Sequence, residues 1–381
     1  MATKLTGVKG RNALMDLPNF DLKMFPYDPM HVMLENGVLH RVMCYFLAYV
    51  TRRRNQLTDK VLNSALLCRV YADGDGSKPG NISVNRTDPR KCNLKMKAMT
   101  LMMVALELPF MLQAYVEPGD PHMLHFVLCV RVASAITYAQ AFSESSIEYL
   151  RQAVARLITE AVELYGPGIL TTKWHMLEHI VETIVELGPP KGTSCMPYER
   201  HYHTLVRKPV QQFRNVSYTL ATRHQKWQAS TLFDWSKSVP ESVMFEQVKC
   251  KSYKNTCKSL CPPWAADLCE VDVGDLESLK EYFQTGVKVK PGSYLDLTDA
   301  IGSDHVFGEV LCILKTVSED VVFCMQEWRS NMYNADLGAF SVTKASRIKR
   351  TVSDMKGILV VPVVKHCNRT YVIPKFSTTV F

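Results

Sequence analysis

The sequence predicts a mainly α fold to about residue 240, followed by a small antiparallel β module, and three observations predict it. Apolar residues recur at helical spacing through most of the first 230 positions. Gly and Pro clusters punctuate those runs, and beyond Lys288 short β-branched segments replace them. The expected domains are 1–240, helical; 241–285, a Cys- and Lys-rich linker; and 286–381, the β module.

Val32 to Arg54 carries Val32, Leu34, Val38, Leu39, Val42, Met43, Phe46, Leu47 and Val50 on one face, which predicts a core-facing helix with a basic end. The Gly-, Asp-, Asn- and Pro-rich stretch 72–91 is expected as a loop. Helices are expected over Leu94–Gln113, His122–Phe142 and Ser145–Leu164, the last opened by a capping box of Ser145 and Glu148. Gly166, Pro167 and Gly168 stop that run. A further helix over Thr172–Leu187 ends at Gly188, Pro189 and Pro190. Others are expected from Met196 to about Lys208 and over Ser217–Ser230. In the β module, Val306–Leu314 and Val321–Trp328 read as one hairpin, and Gly357–Val364 and Tyr371–Phe376 as a second around Asn368.

Composition bounds the function classes. At 47% hydrophobic and 22% charged the chain is globular, and 45 basic against 37 acidic residues give a formal +8, a mild excess that permits a polyanionic partner. The apolar stretches 99–116 and 123–139 are broken by Glu107 and Pro109 and by Arg131, so both read as buried helices and no membrane partner is expected. The first fifteen residues carry no apolar core of a signal peptide. With twelve cysteines, that predicts reduced thiols in a nuclear or cytosolic protein and makes the sequons at Asn81, Asn85, Asn215 and Asn368 incidental.

Three constellations carry chemistry. Asp28 and His31 stand three apart ahead of the first long helix, where both point at one ion if the backbone turns between them; the bland reading is an N-cap Asp beside an incidental His. His175 and His179 lie four apart, on one helical face, and with Asp28 and His31 supply the four ligands of a closed tetrahedral Zn²⁺ site. On spacing alone a hydrogen-bonded histidine pair is the commoner outcome. The same five residues also match HxxEH, the inverted-zincin peptidase signature, with Glu178 as base. Third, Glu199 stands among Arg200, His201 and His203, with Arg207 and Lys208 further along. A carboxylate so surrounded suits a hard-metal ligand beside a phosphodiester, or else an ordinary solvated helix face. The cysteines at 250, 257, 261 and 269 fit no common zinc spacing and are expected as free thiols.

The order of these pieces resembles the CACTA-type (EnSpm-like, CMC superfamily) DNA transposases. The resemblance is carried by Gly7–Gly10 with Leu17–Leu22, the DxxH of Asp28 and His31, the Leu164–Gly166 turn, the paired-histidine helix ending at Gly188-Pro189, Glu199 at the head of a basic helix, and Asn215–Ala221 with Arg223–Gln225. It spans residues 5 to about 228 and implies the terminal helix and helical insertion of an RNase H-like nuclease domain. In that family two aspartates and a glutamate hold two divalent metals for strand cleavage. The resemblance makes Glu199 the third acid, and Asp28, His31, His175 and His179 a structural zinc cluster. Arg200, His203, Arg207 and Lys208 are the expected DNA contacts. The family's two aspartates belong on strands well before DxxH, yet only 27 residues precede Asp28. The expectation is therefore a transposon-derived, DNA-associated nuclear protein, truncated or domesticated, with no activity as this chain and with Mg²⁺ only if the missing aspartates are supplied. The alternatives are the tail of an active two-metal cut-and-paste transposase and a non-catalytic scaffold that binds a protein through the β module.

Overall fold

A computed structural model describes residues 26–53, 57–68, 79–92, 94–139, 141–196, 199, 215–235, 249–252, 262–270, 276–284, 287–298, 305–318, 320–355, 358 and 360–374. Helices are followed by an antiparallel sheet, as the hydrophobic patterning predicts.

The first long helix begins later than its periodicity suggests. A π turn, Met30–Leu34, comes first, closed by Glu35 N–H donating to Met30 O at 2.8 Å. The chain then reverses through Asn36, at φ 51°, and Gly37, where a Cβ would collide with the Met33 carbonyl. Helix α1, Val38–Arg53, starts there. α2, Asp59–Cys68, is a short helix the apolar pattern did not indicate. Part of the expected loop is a 3-10 turn, Pro89–Lys91, capped by Asp88.

α3, Ala98–Leu112, and α4, Pro121–Tyr138, are apolar nearly all round and pass through the centre of the core. Asp120 caps α4 through His122 N and Met123 N. α5, Glu144–Tyr165, is capped by Ser143, whose Oγ accepts from Ser146 N, and not by the expected Ser145. Gly166, at φ 78°, ends it. α6, Thr172–Leu187, ends at Gly188, at φ 85°, and is followed by a 3-10 turn, Pro190–Thr193. α7 is Val216–Trp235. Among the described residues no helix is long and apolar enough to cross a membrane.

Phe46 of α1 and Phe126 of α4 stack at 4.8 Å in the middle of this core, both fully buried. Two histidines are also enclosed. His125 donates from Nε2 to Leu157 O at 3.0 Å, and His40 accepts from Leu94 N–H at 3.3 Å. Burial lowers both pKa values; for His40 the neighbouring cations Arg41 and Lys173 add to it, while for His125 the Leu157 bond and Glu160 oppose it. Depressed folded values mean that protonation favours the unfolded chain, so the stabilisation is whole above the ordinary value of 6.5 and is lost as pH falls below it. The urea midpoint is expected to drop between pH 7.5 and pH 5, and His125→Gln is expected to flatten that dependence; an equally steep drop in the variant contradicts the assignment.

The sheet has ten strands along the described chain, every pairing antiparallel. They are β1 Lys249–Ser252, β2 Leu276–Gln284, β3 Val287–Val289, β4 Tyr294–Asp296, β5 Val306–Thr316, β6 Val321–Asn334, β7 Ala339–Thr351, β8 Val360–Val361, β9 Val363–His366 and β10 Arg369–Val372. The path runs β1-β2-β5-β6-β7-β10-β9, with β3 beside β2 and β4 bridging β5 and β8. The two expected hairpins are present as β5–β6 and β9–β10. Two strands fall in the stretch expected as a linker: β1 and β2 pair there, on either side of helix α8, Pro263–Cys269.

The sheet and the helices share one core. Leu337, Ala339, Val364, Tyr371 and Ile373 belong to the same buried cluster as α1, α3 and α4. Phe110 meets Tyr371 edge-on at 5.5 Å, Arg131 lies over Tyr333, and Gly119 N–H donates to Asp336 Oδ1 at 3.1 Å. Arg131, the charge that interrupts an apolar helix, thus serves the junction. Gly338 sits at φ 62° with Val127 so close that a side chain would press into it.

Candidate metal centre

Asp28, His31 and Cys195 form the densest cluster of metal-ligating atoms among the described residues. The π turn places the first two. Asp28 Oδ2 accepts His31 N–H at 2.9 Å, which folds the imidazole back over the carboxylate, Nδ1 lying 2.6 Å from the same oxygen. Cys195 arrives from 167 residues away, carried by the turn that follows α6. Its N–H donates to Asp28 Oδ1 at 2.8 Å, and its Sγ lies 3.1 Å from Asp28 Oδ2 and 3.4 Å from His31 Nδ1.

The electrostatics follow from these contacts. Burial alone would raise the Asp28 carboxyl; the N–H and thiol of Cys195 and the N–H and ring of His31 outweigh it and hold the pKa below the ordinary value. The Cys195 thiol is pushed up to about 12 by burial, by its bond to Asp28 and by the charges of Asp28 and Glu199. A cation among the three donors reverses that logic, because it stabilises the thiolate that the carboxylates disfavour. In a tetrahedral zinc site, bonds of about 2.0 to 2.3 Å set neighbouring donor atoms about 3.3 to 3.5 Å apart. The separations here are 2.6, 3.1 and 3.4 Å, so an ion enters as the Asp28 carboxylate draws back from both His31 and Cys195.

Glu199 lies at the edge of the cluster. Its Oε1 is 3.5 Å from His31 Nε2 and 3.7 Å from Cys195 Sγ, and Glu35 approaches the same imidazole nitrogen at 3.8 Å. His31, Glu35 and Glu199 make a second, wholly exposed group of possible ligands.

The histidine pair stands next door. His175 and His179 bring their Nε2 atoms to 3.3 Å on α6, and Tyr27 stacks on His179 at 6.0 Å. Lys173 of the same helix donates to Glu35 O at 2.7 Å, so α6 is fastened to the π turn. The pair is nevertheless outside the three-residue cluster, and each histidine turns Nδ1 to a glutamate, Glu178 at 3.4 Å and Glu182 at 3.2 Å. The structure thus unites Asp28 with His31, keeps His175 with His179, and adds Cys195, which the sequence reading left among the reduced thiols. The one signal for it is its place four residues before Glu199, just beyond the Gly188–Pro190 stop. Glu178, held against His175, is not poised over a zinc held by the pair, as a peptidase base would be.

Arg200, His203, Arg207 and Lys208 lie outside the described residues, as do Cys257 and Cys261. Cys250 is on β1, and Cys269 Sγ stands 3.7 Å from Cys324 Sγ beneath the sheet. Comparison with family models, with curated proteins and with solved structures returns no match.

Proposed function

We propose that the chain is a transposon-derived, DNA-associated protein whose helical unit is braced by a structural zinc ion at Asp28, His31 and Cys195. The observation that carries the metal reading is the convergence of a carboxylate, an imidazole and a thiol from two ends of the helical unit on one point. Sulfur and imidazole donors favour zinc over Mg²⁺, which prefers oxygen. The fourth position falls to Glu199, whose carboxylate lies 3.5 Å from His31 Nε2 and 3.7 Å from Cys195 Sγ. A zinc there ties the π turn to the chain beyond α6, a closure the backbone bond from Cys195 N–H to Asp28 has already begun.

DNA association rests on the resemblance and on the net charge of +8. In this reading Glu199 is the third acid of a nuclease triad, and Mg²⁺ has a role only where the family's two aspartates are also supplied. Duplex DNA at low salt is expected to bind, with log K falling as log salt rises. Replacing Arg200, Arg207 and Lys208 together by Ala is expected to reduce the salt slope by about one per phosphate contact removed. Absence of binding at low salt would favour the protein-interaction scaffold instead.

A further inference from the structure

On the far part of α1, Arg41, Tyr45, Tyr49 and Arg53 recur every fourth residue and so share one face. Arg53 lies over the Tyr49 ring at 4.9 Å, and His122 stacks on that ring at 3.5 Å and 10°. The three make a layered stack that ends in an exposed guanidinium. It borders a groove of about 550 Å³ between α1, the Pro89–Lys91 turn and the end of α5, lined also by Arg52, Arg90 and Tyr165.

Three arginines, Arg52, Arg53 and Arg90, line the groove against one acid, Asp88, which pairs with Arg90 at 2.8 and 3.3 Å; Asp120, outside the lining, keeps its charge among the Tyr49 hydroxyl and the amide of His122. Arg52 donates to the backbone carbonyls of Arg86 and Thr87, neutral acceptors that leave its charge unbalanced. The Tyr165 ring forms part of the groove wall, with its hydroxyl buried behind it.

A planar ring to extend the stack and an anion for the arginines together describe a nucleotide. We propose that this groove is a nucleotide-binding site, in which one unstacked base lies on Arg53 and its phosphate meets Arg52. Duplex DNA hides its base faces, so the ligand is a free nucleotide or a single strand. The site goes beyond the metal-centre reading and shares no residue with it.

The test is fluorescence anisotropy on the full chain at low salt, with a labelled single-stranded dT12 and with a labelled ATP analogue. Arg53→Glu is expected to weaken binding at least tenfold. Arg53→Lys, which keeps the charge but loses the planar stack, is expected to fall between. Arg151→Glu makes the same charge change fourteen residues back along α5 from Tyr165, about 21 Å away, and is expected to leave binding within twofold. Binding of the oligonucleotide alone identifies a strand site, and binding of both a nucleotide site. No binding of either probe, or equal losses in Arg53→Glu and Arg151→Glu, overturns the proposal.

Discussion

Cys195→Ser is expected to lower zinc affinity by more than the ~10- to 100-fold that loss of an outer-shell partner costs, and to take the metal-dependent part of the thermal midpoint with it. The thiol is the softest donor in the cluster, and a serine hydroxyl is a poor zinc ligand at neutral pH. The substitution leaves the amide of residue 195 in place, so its bond to Asp28 Oδ1 persists and the local chain path is kept. The loss then reports on the metal and not on a misplaced loop. Because structural metal binding is folding free energy, chelator is expected to lower the midpoint of the parent protein and to leave that of Cys195→Ser unmoved. His175→Ala with His179→Ala is the companion experiment. If the pair lies outside the ligand set, zinc content is expected to stay at one per chain, whereas a site built on the pair would empty. Competition with a chromogenic chelator, followed by thermal denaturation, reads both.

Phe126→Ala is expected to destabilise the protein by about 3 to 5 kcal/mol. Phe126 and Phe46 are fully buried and stacked, and helices already close-packed on every side leave little room for collapse around the cavity. The sheet is expected to share the loss, since Leu337, Ala339, Val364, Tyr371 and Ile373 are part of the same core. Tryptophan fluorescence during urea unfolding reads both halves, Trp174 from α6 and Trp264 and Trp328 from the sheet region. One transition that shifts as a whole is the expected result; a sheet signal that stays put would separate the two parts.

The helices were legible where burial alone dictates structure. α1, α3, α4, α5 and α6 carry long apolar runs with Gly or Pro stops, and their existence follows from period and punctuation. α2 is short and half polar, below the length at which a period declares itself. β2 was hidden for another reason: its buried residues are Leu276, Leu279 and Tyr282, spaced by three, and its pairing with β1 slips by a residue. β7 shows no alternation over Thr343–Arg350 because it is held along β6 by backbone pairing while its side chains, Ile348 apart, are exposed.

The same division runs through the site. Asp28 and His31 were readable because three residues bring them together, and His175 with His179 because four do. Cys195 joins through tertiary folding across 167 residues, a distance over which spacing carries no information. The basic-aromatic face of α1 was readable only at its end, Arg52 to Arg54. Its tyrosines, Tyr45 and Tyr49, were not among the residues assigned to the core face, and the structure sets them along a groove.

The most direct test of the metal centre is X-ray absorption at the zinc edge of the zinc-loaded chain. The account predicts a first shell with one sulfur at about 2.3 Å among nitrogen and oxygen donors at about 2.0 to 2.2 Å, the sulfur lost in Cys195→Ser. A shell of nitrogen and oxygen alone, unchanged by that substitution, would contradict it and return the site to Asp28, His31, His175 and His179.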